Sequence, residues 1–265
     1  MSLDLERPRH LYIATDPGVD DLVADIIASA LPGQIFMAAT YGNGTTIETG
    51  RNLTGLGTFV DNHLQKKPSF LLATGADRPL GAKKPWKLHD IPRGSTEFVH
   101  GKGLSEGRFD YFKPPEIKSG VIFERMKNDS AKFDVFSFGA VTDIFYLLND
   151  ENLRPLVRTV TLMGGAFIAQ GNVLPHLEAN FRHDPAALKE IIIKCNNNNI
   201  PITIVPSDLT YNRNLAFSAN RARNLRKDLR ANQSYSIAEL VDRLVGPDST
   251  YFKLYTGSSH LKTSK

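Results

Sequence analysis

Asp16, Asp20 and Asp21 put three carboxylates within six residues, in the run Thr15-Asp16-Pro17-Gly18-Val19-Asp20-Asp21. Pro17 and Gly18 bend the chain there, which can swing Asp16 back towards the other two. Like charges packed this closely raise one another's pKa, so the cluster is costly without a cation. A hard divalent ion with oxygen ligands, Ca2+ or Mg2+, is the natural counter-charge. Helix capping by Asp20 or Asp21 is the competing reading, and it accounts for one Asp rather than three. Further along, Tyr41-Gly42-Asn43-Gly44 sets Asn43 between two glycines, as a turn residue or as a polar group beside a ligand. Met163-Gly164-Gly165-Ala166-Phe167 leads to Gly171-Asn172 and then to Glu178-Ala179-Asn180-Phe181. Small residues let a backbone approach a ligand closely. Asn172, Glu178 and Asn180 carry amide and carboxylate groups suited to sugar hydroxyls.

The elements around these residues follow from the apolar pattern. Short apolar runs at 11–15, 35–41, 69–73, 133–138, 158–163 and 202–205 read as buried strands. Longer runs of helical period fall at 21–31, 47–64, 117–128, 142–149 and 184–196, and two helices follow the last strand. Asp184 and Pro185 mark a helix start by cap and first-position preference. The alternation predicts an α/β fold of one domain, a mostly parallel open sheet with helices on both faces. Ligands of such sheets bind beyond the strand carboxyl ends, where Asp16, Asn43 and Met163 stand. Residues 74–115, rich in Gly, Pro, Lys and His, are too long for a simple connection and read as a functional loop.

Composition narrows the class. Of 265 residues 41% are hydrophobic and 23% charged, which excludes wholesale disorder. The single cysteine, Cys195, excludes an intrachain disulfide and a cysteine-built zinc site, and a reducing compartment, the cytoplasm, fits best. No run of apolar residues is long enough to span a bilayer, so no membrane partner is expected. The first ten residues lack the apolar centre of a secretory signal. From residue 200 onward ten Lys or Arg stand against five Asp or Glu, so the net +4 arises in the last quarter. Those cations, chiefly Arg213, Arg221, Arg223, Arg226, Lys227 and Arg230, have no aromatic residues interleaved as stacking platforms. They read as a solvated helix face rather than a nucleic-acid patch.

Taken in order, the motifs resemble the inosine–uridine-type nucleoside hydrolases over nearly the whole chain. TDPGVDD is similar to that family's N-terminal DxDPGxDD hallmark, and YGNG with Gly50-Arg51-Asn52 to its second motif. GADRPL, HGKG and FGAVTDI, then MGGAF, GNV, EANF and HDPAA, resemble the later ones. The resemblance implies a Ca2+ at the strand carboxyl ends, holding the water that attacks the anomeric carbon of a ribonucleoside. It implies Asp16 as calcium ligand and catalytic base, Asp21 as carboxylate ligand and Thr142 as main-chain carbonyl ligand. Asp20, Asn172, Glu178 and Asn180 would hold the ribose, with Asn43 and Met163 beside it and His100 on the side of the base. A homodimer or homotetramer is implied as well.

Two departures temper this. Ala14 stands where the hallmark has its first Asp. The family's late His-Asp pair, which completes the calcium site and can assist the leaving base, has no counterpart after Asp208. The expectation is a chain that lacks the family's C-terminal segment. A non-catalytic ribose or nucleoside binder is therefore kept as an alternative. An Mg2+-dependent phosphohydrolase with Asp16 as nucleophile is the weakest reading, because it needs a second Asp where Gly18 stands. Trp86, Phe167, Tyr211 and Tyr251 could each stack on a base or pack in the interior.

Overall fold

Near-continuous apolar strands form when both faces of a parallel sheet are covered. The computed structural model describes residues 10–63, 69–87, 111–173, 176–212, 221, 223, 224, 227, 228, 230 and 238–241. In it β1 (His10–Thr15), β2 (Gln34–Ala39), β3 (Ser69–Thr74), β4 (Phe133–Ser137), β5 (Val157–Met163) and β6 (Ile202–Val205) pair in parallel. Their order is β3-β2-β1-β4-β5-β6. The helices are α1 (Val19–Ser29), α2 (Thr46–His63), α3 (Ser119–Asp129), α4 (Thr142–Asn149), α5 (Ala179–His183), α6 (Pro185–Asn197) and α7 (Ser207–Thr210). This is the expected fold class, a parallel open sheet between helical layers.

The period-two alternation of strand side chains divides the core. Leu11, Ile13, Ile35 and Met37 pack with Ala28 of α1 and Leu53 of α2. Tyr12, Ala14, Phe36 and Val135 pack instead with α3, α4 and α6, through Ile122, Met126, Ile144, Leu147 and Ile191. Val19, Leu22 and Ile26 of α1 meet Leu56 and Val60 of α2 in a further cluster. Strand-to-strand crossovers are right-handed. The chain winds outward from β1 to β3, then returns to the other side of β1 as β4, so helices before and after the return cover opposite faces. The return opens a crevice at the carboxyl ends of β1 and β4.

Several details differ from the sequence reading. Helix α1 begins two residues earlier than expected, at Val19, because Gly18 rather than Asp20 is its N-cap. The short helix α5 was not anticipated; the Glu178 side chain caps it by accepting from the Asn180 and Phe181 amides. Glycines are tolerated in α2 because the helix lies close on the sheet: a Cβ on Gly57 would stand 2.6 Å from Leu72. Asp184 caps α6 as expected, accepting from Ala187 N at 3.0 Å. Much of the 74–115 loop lies outside the described residues, but its ends are tied, with Thr74 Oγ1 donating to Pro115 O at 2.6 Å and Thr74 N to Ile117 O at 2.7 Å. Of the two helices expected after β6, α7 is described and the remainder is only partly so. Arg221, Arg223, Lys227 and Arg230 are exposed, while Arg213 and Arg226 lie outside the described residues. No helix among the described residues is long and apolar enough to cross a membrane.

Asp25 breaks the apolar face of α1. It is fully buried, and its Oδ2 accepts from Thr15 Oγ1 at 3.1 Å. It borders a cavity of about 10 Å³ with Ser29, Met37, Leu53 and Phe70. Desolvation, with a smaller push from Asp16, raises its carboxyl to about 8. The folded state thus holds a proton that the unfolded chain releases in the ordinary carboxylate range. The associated stability is complete in acid and is lost as pH rises through about 8. The unfolded chain gives up this proton at about pH 4 and the folded state not until about 8. Asp25→Asn, neutral throughout, should therefore gain stability relative to the wild type as pH rises between those values, with the gap levelling off above about 8. A gap in melting temperature that does not widen between about pH 4 and about pH 8 would refute this reading of Asp25.

Candidate functional site

Asp16 follows β1 directly and is 1% exposed. Its carboxylate is gripped from both neighbouring strands. A Cβ on Gly42, beyond β2, would lie 2.0 Å from Asp16 Oδ2, and one on Gly139, beyond β4, would lie 2.2 Å from Oδ1. Gly42 also has φ +154, a conformation that side chains disfavour. These two positions need glycine because the Asp16 side chain occupies the space. The Asn43 amide N donates to Asp16 Oδ2 at 2.7 Å, fixing the carboxylate's rotation.

Asp21 sits on the first turn of α1, where its Oδ2 accepts from Gly18 N at 3.1 Å and from Asn43 Nδ2 at 3.1 Å. The same Nδ2 donates to Asp16 O at 3.1 Å. Asn43 therefore bridges the two acids and is more than a turn residue. Burial, then the negative charges of Asp16, Asp20 and Asp25, hold the Asp21 carboxyl well above the usual carboxylate range, against the lowering effect of the Gly18 hydrogen bond. Asp20 differs from both: its side chain is exposed. Ala14, in the place of the hallmark's first Asp, lies fully buried in the apolar core. A carboxylate there would be desolvated among hydrocarbon neighbours.

Thr142 opens α4, three residues beyond Gly139. Its hydroxyl donates to Asp184 Oδ2 at 2.7 Å and lies 3.0 Å from the Tyr41 hydroxyl. Tyr41 Oη also donates to His183 O at 3.2 Å. Asp184 Oδ2 further accepts from Leu80 N, and Asp143 Oδ2 from Ala76 N, both at 2.7 Å. The GADRPL segment is thus bound to the starts of α4 and α6. Trp86 packs in this layer, 5.8 Å from Tyr41 and edge-on to His183 at 5.5 Å. His183 is driven down to about 4, mainly by burial, so it stays neutral at physiological pH.

The residues expected on the sugar side converge beyond β5. Glu178 is 3% exposed; its Oε1 accepts from Asn180 N and its Oε2 from Gly165 N and Phe181 N, at 2.8 to 3.1 Å. Asn180 Nδ2 donates to Phe138 O at 2.5 Å, to Met163 O at 3.2 Å and to Met163 Sδ at 3.1 Å, joining the ends of β4 and β5. Asn172 Oδ1 accepts from Ala179 N at 2.8 Å. So Asp16, Asp21, Asn43 and Thr142 stand at the ends of β1, β2 and β4, and Met163, Asn172, Glu178 and Asn180 at the end of β5. His100 lies outside the described residues. Among the described residues, no three His, Cys, Asp or Glu side chains gather where they could hold a metal. Asp16 and Asp21 supply two carboxylates. Sequence reasoning assigned Asp184 a capping role only and Tyr41, Gly139 and Asp208 no individual role at the site, although Asp208 follows a strand end as Asp16 does and that position was the available signal.

The inosine-uridine preferring nucleoside hydrolase family model matches residues 11–260. Uridine nucleosidase 1 of Arabidopsis thaliana is 29% identical over 78% of this chain and 58% of its own. The pyrimidine-specific ribonucleoside hydrolase RihA of Shewanella baltica is 30% identical over 77% and 60%. The chain spans between 51% and 60% of the length of the first curated relatives it matches. In fold it is similar to a plant nucleoside hydrolase, with a TM-score of 0.70 at 22% identity, covering 95% of this chain and 74% of that one. A nucleoside hydrolase from Bacillus anthracis gives 0.62 at 17%, covering 94% and 80%.

The glycine grip can be tested directly. Gly139→Ala should displace the Asp16 carboxylate in a crystal structure and lower the melting temperature. Gly120→Ala, in the first turn of α3 with open space around it, should instead stabilise by up to about 1 kcal/mol. An unmoved Asp16 in Gly139→Ala would show that the contact is not restrictive.

Proposed function

The chain belongs to the inosine-uridine preferring nucleoside hydrolase family, and we propose that it hydrolyses the N-ribosidic bond of ribonucleosides to free base and ribose. The observation that carries this reading is the pair Asp16 and Asp21, buried side by side on the turn after β1 and bridged by Asn43. Burial and then repulsion from Asp16, Asp20 and Asp25 raise Asp21, a bound cation would offset both, and the donors are hard oxygens. The residues therefore fit Ca2+, with Asp16 and Asp21 as carboxylate ligands and Thr142 as a main-chain carbonyl ligand. Such an ion would acidify a bound water and add positive charge to the site.

The protein's own groups would do the rest. Asp16, fixed in rotation by Asn43 N, takes the proton of the attacking water. Cleavage of an N-ribosidic bond passes through an oxocarbenium-like state, as in other glycoside chemistry. Asp20, Asn43, Asn172, Glu178 and Asn180 hold the ribose, and their carboxylates and amide oxygens stabilise positive charge on its ring. Both Glu178 oxygens already accept from main-chain amides, yet an ionised carboxylate has about four acceptor positions, which leaves capacity for a sugar hydroxyl. Met163 flanks the sugar and His100 borders the base. The reading extends to a single domain over residues 1–265 and a cytoplasmic homodimer or homotetramer. A second reading, a non-catalytic ribose or nucleoside binder, draws on the two-carboxylate donor set.

Release of reducing sugar from uridine, inosine and other nucleosides with added Ca2+ tests the proposal, and the relatives' names put uridine first. Asp16→Asn should lower turnover by at least about 10²-fold, the usual contribution of a general base. Its melting temperature without metal should be unchanged or raised, because one repelling charge is gone. Full activity in Asp16→Asn would remove the base assignment. Binding without release from any nucleoside would favour the second reading.

A further inference from the structure

Asp208, on the single turn of α7, accepts from three consecutive main-chain amides. Phe167 N donates to its Oδ2 at 2.8 Å, and Ile168 N and Ala169 N to its Oδ1 at 2.7 and 2.8 Å. Two backbone bonds complete the attachment: Gly164 N to Val205 O at 3.0 Å and Ser207 N to Gly165 O at 2.8 Å. The loop is therefore shaped by polar contacts to its main chain and not by burial of its side chains. Phe167 is 70% exposed and Ile168 96% exposed. Fixing a loop costs conformational entropy, and this one is held so as to keep its apolar residues in solvent.

Both ends of the loop abut the sugar-side residues. Gly165 N donates to Glu178, Met163 accepts from Asn180, and Asn172 accepts from Ala179 N. The turn that carries Asp208 is close as well. The Tyr211 phenol at its end is raised by partial burial and then by the Glu178 charge. A nucleoside whose ribose lies against Glu178, Asn180 and Asn172 must project its planar base from the same ring. Of the four aromatic residues that could stack on it, Trp86 packs against Tyr41 and His183, and Tyr251 lies outside the described residues. Phe167 is the most exposed of the three that are described.

We propose that Asp208 is a positioning residue, which by clamping residues 167–169 presents Phe167 and Ile168 as an apolar platform for the nucleoside base. This rests on the substrate class proposed above. Three amide donors also favour the ionised carboxylate and lower its pKa, so the clamp persists into acid.

The test uses C-nucleosides, pseudouridine and formycin, whose carbon–carbon glycosidic bond is not hydrolysed, with ribose as the control. Dissociation constants are measured by calorimetry on the full chain with Ca2+. Phe167→Ala, a change at an exposed side chain, should weaken both C-nucleosides about tenfold, the scale of one base–aromatic stack, and leave ribose unchanged. Asp208→Ala should do the same and should speed hydrogen exchange at the 167–169 amides. Asp208→Asn should fall between, since its single carbonyl oxygen can serve Ile168 and Ala169 while its NH2 faces the Phe167 N–H. Unchanged C-nucleoside binding in Phe167→Ala overturns the platform. Equal weakening of ribose and C-nucleosides in Asp208→Ala reduces Asp208 to a fold residue and overturns its role. A wild type that binds through Phe167 but cleaves no N-nucleoside keeps the platform and removes hydrolysis. Cleavage with an unchanged KM in Phe167→Ala does the reverse, and a wild type that binds none of the probes overturns both.

Discussion

Three acidic side chains are buried where β1 ends, and the neighbouring strand ends and the first turn of α1 hold them there. Asp16, Asp21 and Asp25 are all nearly or fully inaccessible on one turn and one helix. Burial first, and repulsion from neighbouring acids second, raises the carboxyls of Asp21 and Asp25. The site keeps Asp16 in place by steric confinement between Gly42 and Gly139 and by hydrogen bonds from Asn43. The positive end of α1 and the Gly18 amide offset part of the charge on Asp21. Confinement of this kind restricts how far Asp16 can move from its acidic neighbours, and the proposed hard cation rests on that restriction.

The confinement comes from topology. The sheet order brings the ends of β2 and β4 to either side of β1, and each contributes one glycine against Asp16. Thr142 is placed by the same return of the chain, since it opens the helix after β4. Asp184 then ties Thr142, Leu80 and the start of α6 to one carboxylate, so the layers on that face are locked to the site. Asn180 does the corresponding work between β4 and β5. The polar residues at the strand ends are at once the candidate machinery and the joints that hold the elements together.

Not all buried carboxylates here serve the same end. Asp134 at the opposite end of β4 is held by Arg158 and by Thr159 Oγ1 at 2.8 Å, an ordinary structural arrangement. Asp143 and Asp184 bind main-chain amides of the GADRPL segment. Asp208 clamps a loop from outside. Asp21 is distinguished because the charges that act on its buried carboxyl are those of other acids, Asp16, Asp20 and Asp25.

The sequence alone determined the alternation of strands and helices, because a strand covered on both faces needs an unbroken apolar run and its helices a 3.6-residue period. It also marked the Asp16–Asp21 cluster, since three acids on one turn are visible without coordinates. It could not show that Asp20 points to solvent while Asp21 is buried, which depends on how α1 lies against α2. Nor could it show why Gly42 and Gly139 must be glycine. They are 97 positions apart in sequence and meet only because β2 and β4 flank β1. Phe167 was ambiguous between packing and exposure until Asp208, more than forty residues away, was seen to fix its loop. Local pattern settles which elements form; contacts between distant segments settle which side chains they leave confined, paired or free for chemistry.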